Sequence, residues 1–376
     1  MSAAFLEARS SDSDWFGWLK RELAPTRTRK IRTAILVGGA VLSVIISMTL
    51  QVPEVAVTAF IVFFISQPTK QLTKTTGLLG AIGLTVGIGI SLALYKFTYG
   101  HPELRVPGMA IAVFLGMWLS RAFVIGPLGF IIGFFIALTQ SYGEAVPSPE
   151  LLVRALLWIW MAGIYGVVVV VVLSSLFLPD SEEPTEHRPK PKSLFKPDAF
   201  TNPAYIQFGF KVTLGAMFCY IVYRAIDWPG IQTSFITCTF IALESTEATL
   251  YKGMLRIVGC VIGGALALFS IVFLIPHMET IASLVVLVAC AAAIAAWVAA
   301  GSPRISYAGI QIAFAFFLSV FQGYAPDTDL DKVRNRVVGI LFGLIVTAVV
   351  FHYIWPERAR ITPASPVKQP NSSQST

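Results

Sequence analysis

From Ile31 to Trp355 the chain is a succession of apolar runs separated by short polar breaks. The runs fall at about 31–50, 54–67, 76–98, 106–120, 122–140 and 151–178. After a polar stretch over 179–202 they resume at about 203–226, 230–243, 251–275, 280–300, 304–323 and 332–355. A helix needs roughly 20 residues to cross the hydrocarbon core of a bilayer, and most of these runs suffice. The second and eighth are short, and each begins beside a proline, Pro53 and Pro229. Backbone polar groups in lipid must be satisfied internally, which helices achieve. The pattern therefore predicts an all-α integral membrane protein with about twelve transmembrane helices, six on either side of one linker.

Basic residues set the expected orientation. Lys20, Arg21, Arg27, Arg29, Lys30 and Arg32 precede or open the first run and place the N-terminus in the cytoplasm. Twelve crossings return Lys70, Lys74, Arg121, the linker, Lys252, Arg304 and the tail residues Arg358, Arg360 and Lys368 to that side. Glu144, Glu150, Asp227, Glu279, Asp327 and Asp329 fall on the other. The domains expected are a cytoplasmic N-terminal segment (1–30), a first six-helix repeat (31–178), a cytoplasmic linker (179–202), a second six-helix repeat (203–356) and a disordered cytoplasmic tail (357–376). No cleavable signal opens the chain. Trp15, Phe16, Trp18 and Leu19 could form an interfacial helix before Pro25 or belong to a solvated tail.

The two halves share features at an offset of 176 residues. Gly39, Pro53, Gly77, Gly83 and Gly87 match Gly215, Pro229, Gly253, Gly259 and Gly263, and Leu79 and Leu92 match Leu255 and Leu268. Near the end of each half the offset drifts to 180, pairing Val153, Arg154 and Gly163 with Val333, Arg334 and Gly343. Six crossings per half make the repeats parallel, and such folds place a substrate path between the halves.

Composition narrows the function. Only 13% of residues are charged and 55% are hydrophobic, with mean hydropathy +0.72, against about 25% charged in soluble domains. The net charge of +7 reads as basic cytoplasmic loops rather than a nucleic-acid surface. Cys219, Cys238, Cys260 and Cys290 lie in apolar runs with no CxxC pair, and the four histidines have no metal spacing. No Walker A, GxSxG or HExxH sequence is present, so neither a cofactor, a metal nor an enzyme activity is expected.

The two short runs are the first candidates for a substrate path. Interrupted helices at matching positions leave backbone groups free for a polar ligand or ion. Candidate lining residues are Pro53, Thr58, Ser66 and Gln67, with Pro229, Ser234, Thr237 and Thr239; Thr233 adds another hydroxyl. The bland alternative is that the hydroxyls bond their own helix or a neighbour. Ionisable residues within apolar runs are costly and therefore functional candidates. Lys211, Glu244, Glu247 and Arg256 are of this kind, Glu244 being the best placed to carry a proton. A surface ion cluster of Glu244, Glu247, Lys252 and Arg256 is the competing reading, and Lys211 could snorkel. Arg154, Arg334 and Arg336 could draw an anion to the periplasmic mouth. The spacing R-x-x-G-x-x-x-G occurs twice, as Arg256-Gly259-Gly263 and Arg336-Gly339-Gly343. Its glycines, with Gly83 and Gly87, suit close helix contact.

On these features the chain resembles the fusaric acid resistance and aromatic acid exporter superfamily of bacterial inner-membrane proteins. The resemblance rests on the basic lead-in, the proline-led second and eighth runs, glycine-rich runs three and nine, and LYKGMLRIVGCVIGG at 250–264. That stretch is similar to the family's R-x-x-G-T-x-x-G element, with Cys260 in place of threonine; in the first half Gly80 stands where the arginine would be. The resemblance implies proton-driven export of aromatic or other hydrophobic organic acids from a multi-pass inner-membrane protein. It also implies a periplasmic membrane-fusion adaptor as partner; a homo-oligomer is a further expectation. A passive organic-anion channel and a non-transporting membrane scaffold of an envelope complex are the competing functions.

Overall fold

The computed structural model describes residues 15–144, 146, 148–179, 193–241, 246–323 and 325–355; these are mostly helical, joined by turns and short irregular segments, with one short β-ladder. A helix α1 (Trp15–Glu22) precedes twelve further elements in chain order. They are α2 (Arg27–Thr49), α3 (Val55–Ile65), α4 (Lys70–Thr98), α5 (Pro102–Ala122), α6 (Gly126–Gln140) and α7 (Pro149–Phe177). The second group is α8 (Pro203–Ala225), α9 (Thr233–Ile241), α10 (Thr246–Phe269), α11 (Ile281–Ala299), α12 (Ser306–Val320) and α13 (Leu330–Tyr353). Strands β1 (Phe321–Gln322) and β2 (Ala325–Pro326) pair antiparallel before α13. The predicted tail and most of the linker lie outside the described residues.

Each helix falls on one of the apolar runs, but several start earlier. α2 begins at Arg27 because Thr26 accepts a hydrogen bond from the Arg29 amide, and α4 at Lys70 because Thr69 accepts from the Leu72 amide. Caps fix where a helix starts, whereas hydropathy marks only its apolar stretch. Among the described residues nine helices are long and apolar enough to cross a membrane. α3, α9 and α12 are shorter, with 11, 9 and 15 residues. Outward faces are apolar: Leu78, Ile82, Val86 and Ile90 form one exposed stripe on α4, and Val168, Val172 and Leu176 another on α7. Such stripes are suited to lipid rather than water.

The principal packing pairs of the first six helices recur in the second six. α2 packs on α3 and α7, α3 on α7, α4 on α6 and α7, and α5 on α6. Likewise α8 packs on α9 and α13, α9 on α13, α10 on α12 and α13, and α11 on α12. The groups meet through α2 with α11, α5 with α8, and α3 with α12. One apolar core is built mainly by α2, α3 and α7 with α11 and α12. A second joins α8, α9 and α13 to α5 and α6.

The corners before α3 and α9 also match. Gln51 and Asp227 both have left-handed backbone, φ 53° and 51°. Around them the Leu50 amide bonds Ile46 O and the Val52 amide Ser47 O, while the Ile226 amide bonds Val222 O and the Trp228 amide Tyr223 O. A non-glycine residue in this region costs roughly 1–2 kcal/mol, so both corners hold local strain at the head of a short helix. Gly343 lies against the Ser234 carbonyl and Thr237, and the residue that meets the corresponding Thr58 carbonyl and Ile61 is Gly166.

Close crossings require glycine at a few points. A Cβ on Gly133 would sit 2.3 Å from the Gly116 Cα, and one on Gly116 would sit 2.4 Å from the Gly133 Cα. Gly133→Leu is therefore expected to destabilise the α5–α6 pair by about 1–3 kcal/mol or more. Gly89, exposed and with nothing within 4 Å of its would-be Cβ, should accept leucine. Thermal melts of the two variants in one detergent test this; equal melting temperatures would contradict the crossing.

Candidate functional site

A cavity of about 380 Å³ lies between the two groups of helices. Val57, Phe60 and Ile61 of α3, Phe134, Phe135 and Leu138 of α6, Tyr142 and Ile159 line it from the first group. Pro229, Gln232, Thr233, Ile236 and Phe240, with Phe314 and Leu318 of α12 and Lys332, Asn335 and Arg336 of α13, line it from the second. The size is that of a small-molecule site. Its mouth is at the exposed Pro229 and Gly230. Its far end is closed by phenylalanines: the Phe240 ring lies 4.7 Å from Phe134 and 5.5 Å from Phe130, and Phe60 lies 4.6 Å from Phe314. A wider groove of about 730 Å³, lined by Tyr99, Arg105, Tyr220 and Arg224 among others, includes neither arginine of the repeated glycine motif.

The polar groups gather near the mouth. Trp228 Nε1 donates to Asn335 Oδ1 at 3.1 Å, and Gln232 Nε2 donates to Ser141 Oγ. Tyr142 lies within electrostatic reach of both Glu54 and Arg336. Lys332 is paired with Asp327. That neighbour holds the Asp327 carboxyl below the usual carboxylate range, so the pair stays ionised at neutral pH. No acidic side chain lines the cavity among the described residues.

Arg336 is the group least explained by the protein. Its Nε and Nη1 are sealed from solvent and have no hydrogen-bond partner among the described residues. Its guanidinium stands over the Phe314 ring, 5.0 Å from the centroid. Arg256 approaches the same ring, with Cζ 5.7 Å from the Phe314 centroid and 6.0 Å from that of Phe240. Arg256 is 1% exposed. It donates to Gln311 Oε1 at 2.7 Å, Tyr307 Oη at 3.5 Å and Thr237 Oγ1 at 3.3 Å, while its Nη2 is unpaired among the described residues. The repeated glycine motif makes both placements possible. Gly259 and Gly263 meet α12 backbone at Ala308 O and Ile312 O, and Gly339 and Gly343 meet Ile231 O and Ser234 O. Side chains there would push the helix carrying each arginine outward.

The structure distributes the other expected residues. Pro229 lines the cavity; Pro53 heads α3 without doing so. Thr58, Ser234, Thr237 and Thr239 spend their hydroxyl protons on Glu54 O, Ile231 O, Thr233 O and Ile236 O. Ser66 is buried, and Gln67 bonds Thr73 through its backbone. Lys211 donates to Trp355 O at 2.8 Å and stands over the Phe351 ring. Arg154 makes an exposed pair with Glu150, and Arg334 one with Asp331. Gly83 and Gly87 pack on α6 at Ile131 and Phe135. Glu244 lies outside the described residues, as does the side chain of Glu247. Lys252 donates to Phe240 O at 2.7 Å.

Several residues of the site were not anticipated from sequence. Phe60, Phe134, Phe240 and Phe314 carry no signal in an already apolar chain. Gln311 and Asn335 are isolated polar residues in or beside apolar runs, a pattern that could have flagged them. Glu54 follows Pro53 directly, is half-buried, and bridges Gly323 through its backbone.

Comparison with known proteins fits this arrangement. The chain is 23% identical to multidrug resistance protein MdtO of Escherichia coli (strain K12), over 91% of this chain and 72% of that protein. The corresponding figures for MdtO of Shigella flexneri are 23%, 86% and 69%. The aligned span of 495 residues exceeds the 376 of this chain, so the relative carries insertions that are absent here. No solved structure matches. Residues 218–350, which hold α9 to α12, most of α13 and both arginine motifs, match the fusaric acid resistance protein-like family, and the family resemblance read from the residues is thereby borne out.

Proposed function

We propose that the protein is an inner-membrane exporter of hydrophobic organic anions, aromatic carboxylates foremost, with its substrate bound in the cavity between two six-helix repeats. The observation that carries this reading is Arg336: its Nε and Nη1 are sealed and have no hydrogen-bond partner among the described residues, on the wall of an aromatic-lined cavity that no described acidic side chain lines. An unpaired charge away from water costs several kcal/mol. A ligand carboxylate would satisfy its free N–H groups while its ring stacks among Phe60, Phe134 and Phe314. The matching packing pairs and matching left-handed corners support a duplicated architecture; twelve crossings with both termini cytoplasmic are further parts of this proposal, supported by the distribution of basic residues. The multidrug resistance relatives support efflux as the direction. Outward movement of an anion is favoured by a cell interior that is electrically negative; proton coupling and a periplasmic adaptor are further parts of this proposal. A passive channel would use the same cations but would not move substrate uphill.

Purified protein in liposomes should move benzoate against its gradient under an imposed pH gradient, faster than benzoic acid equilibrates across protein-free liposomes, and that excess should stop with a protonophore. Downhill movement alone would replace the exporter with a channel, and no movement would favour a scaffold. Arg336→Gln is expected to weaken benzoate binding in a calorimetric titration by roughly ten- to a hundredfold, the value of a charged hydrogen bond; unchanged affinity would remove Arg336 from the site. Asp327→Asn removes the nearer of the two counter-charges of Lys332 at the mouth, Asp329 remaining 3.9 Å away. Benzoate affinity should then rise by about 1.5- to 5-fold, as for a partly exposed ion pair, and the gain should shrink with added salt.

A further inference from the structure

The cavity accounts for one of the two arginines of the repeated glycine motif. Arg256 does not line it; its guanidinium approaches the Phe240 and Phe314 rings, which do. It belongs to a second polar cluster that the cavity does not reach. Gln311, 3% exposed, and Tyr307 accept from its Nη1. Lys252 stands over the Tyr307 ring at 4.9 Å, and its Nζ holds the carbonyl of Phe240 itself. This cluster is at the end of the bundle where Tyr251 bonds Arg304 O and where Arg121 is within electrostatic reach of Lys252. The cavity mouth is at the opposite end. Two cations and a buried, unpaired N–H of Arg256 have no carboxylate among their described contacts.

Resting on the transport reading above, we infer that Arg256, Lys252, Tyr307 and Gln311 form a second, inner carboxylate-binding station, and that the Phe240 ring is the barrier between it and the outer cavity. Phe314 is shared by the two guanidiniums, so the stations are close enough for an organic anion to pass from one to the other without leaving cationic surroundings. A carboxylate bound inside would take the free Arg256 Nη2 and the Lys252 ammonium, drawing Lys252 away from the Phe240 carbonyl. That carbonyl belongs to the last full turn of the short helix α9. Inner binding thus loosens the residue that blocks the path, which gives the substrate a part in opening its own barrier. In the first group the position equivalent to Arg256 is Gly80, which lines a small, wholly apolar crevice with Phe64 and Phe130 on the same phenylalanine cluster. The cationic track is therefore confined to the second group, opposite an apolar wall that suits the hydrocarbon part of the same ligand.

The test uses the full-length protein in liposomes loaded with radiolabelled benzoate and no pH gradient. Phe240→Ala should release benzoate faster than wild type, with the release from protein-free liposomes subtracted from both. Phe240→Trp, which keeps a ring in place, should stay tight; it also guards against a leak caused by misfolding. Adding Arg256→Gln to Phe240→Ala should slow that release by roughly ten- to a hundredfold, because the opened path still runs through the inner station. A Phe240→Ala protein as tight as wild type, or a double variant that leaks as fast as the single, would overturn the inference. Its failure is distinct from failure of the exporter reading. In the first case benzoate binding still depends on Arg336; in the second, wild-type protein neither binds nor moves benzoate.

Discussion

A guanidinium held among phenylalanine rings has few ways to be stable. It keeps its proton under all ordinary conditions, so it must find hydrogen-bond acceptors, water or an anion. Among the described residues Arg256 finds three acceptors and leaves one nitrogen free, and Arg336 has Nε and Nη1 free. Both arginines are carried by helices whose next glycines press against a neighbouring backbone, so neither can swing out to water without separating helices. Much else in the fold follows from this constraint. The short helices α3 and α9 leave the space, the rings of α3, α6, α9 and α12 keep it apolar, and the glycine crossings of α10 and α13 fix the cations beside it.

The same arrangement explains how affinity and release can coexist. The cations are sealed by aromatic rings, whose faces attract a guanidinium weakly, by about 0.5–2 kcal/mol. That is less than a carboxylate offers but enough to hold the empty site together. The acidic partner at the mouth, Asp327, engages Lys332 and leaves Arg336 alone. Field strength is thus graded along the path, modest at the mouth and strongest beside Phe314.

Much of the fold was legible in the sequence, because in lipid the helical pattern is imposed by backbone satisfaction and the apolar runs report it. The position of every helix from α2 to α13 follows from those runs; the extra turns at Arg27 and Lys70 do not, because a threonine cap rather than hydropathy starts them. The site was legible in part. Arg256 stood out as a charge within an apolar run and Arg336 as a residue that could draw an anion to the mouth; Arg336 lines the cavity, and Arg256 does not. The hydroxyls of α3 and α9 also stood out, yet they bond their own helix, which is the local competition expected of serine and threonine. Lys211 is long enough to reach Trp355 O, and no sequence spacing distinguishes that from a site lysine. The phenylalanine barrier was invisible, since with 27 phenylalanines in the chain composition cannot say which of them face one another.

The most direct measurement of the central claim is the position of a heavy-atom aromatic carboxylate in the protein. Crystals of the protein grown with 4-bromobenzoate would show bromine by anomalous scattering. The account predicts one peak among Phe60, Phe134 and Phe240, with the carboxylate density meeting Arg336 Nε and Nη1. Bromine found only elsewhere, with Arg336 still unpartnered while the same ligand is transported, would contradict it.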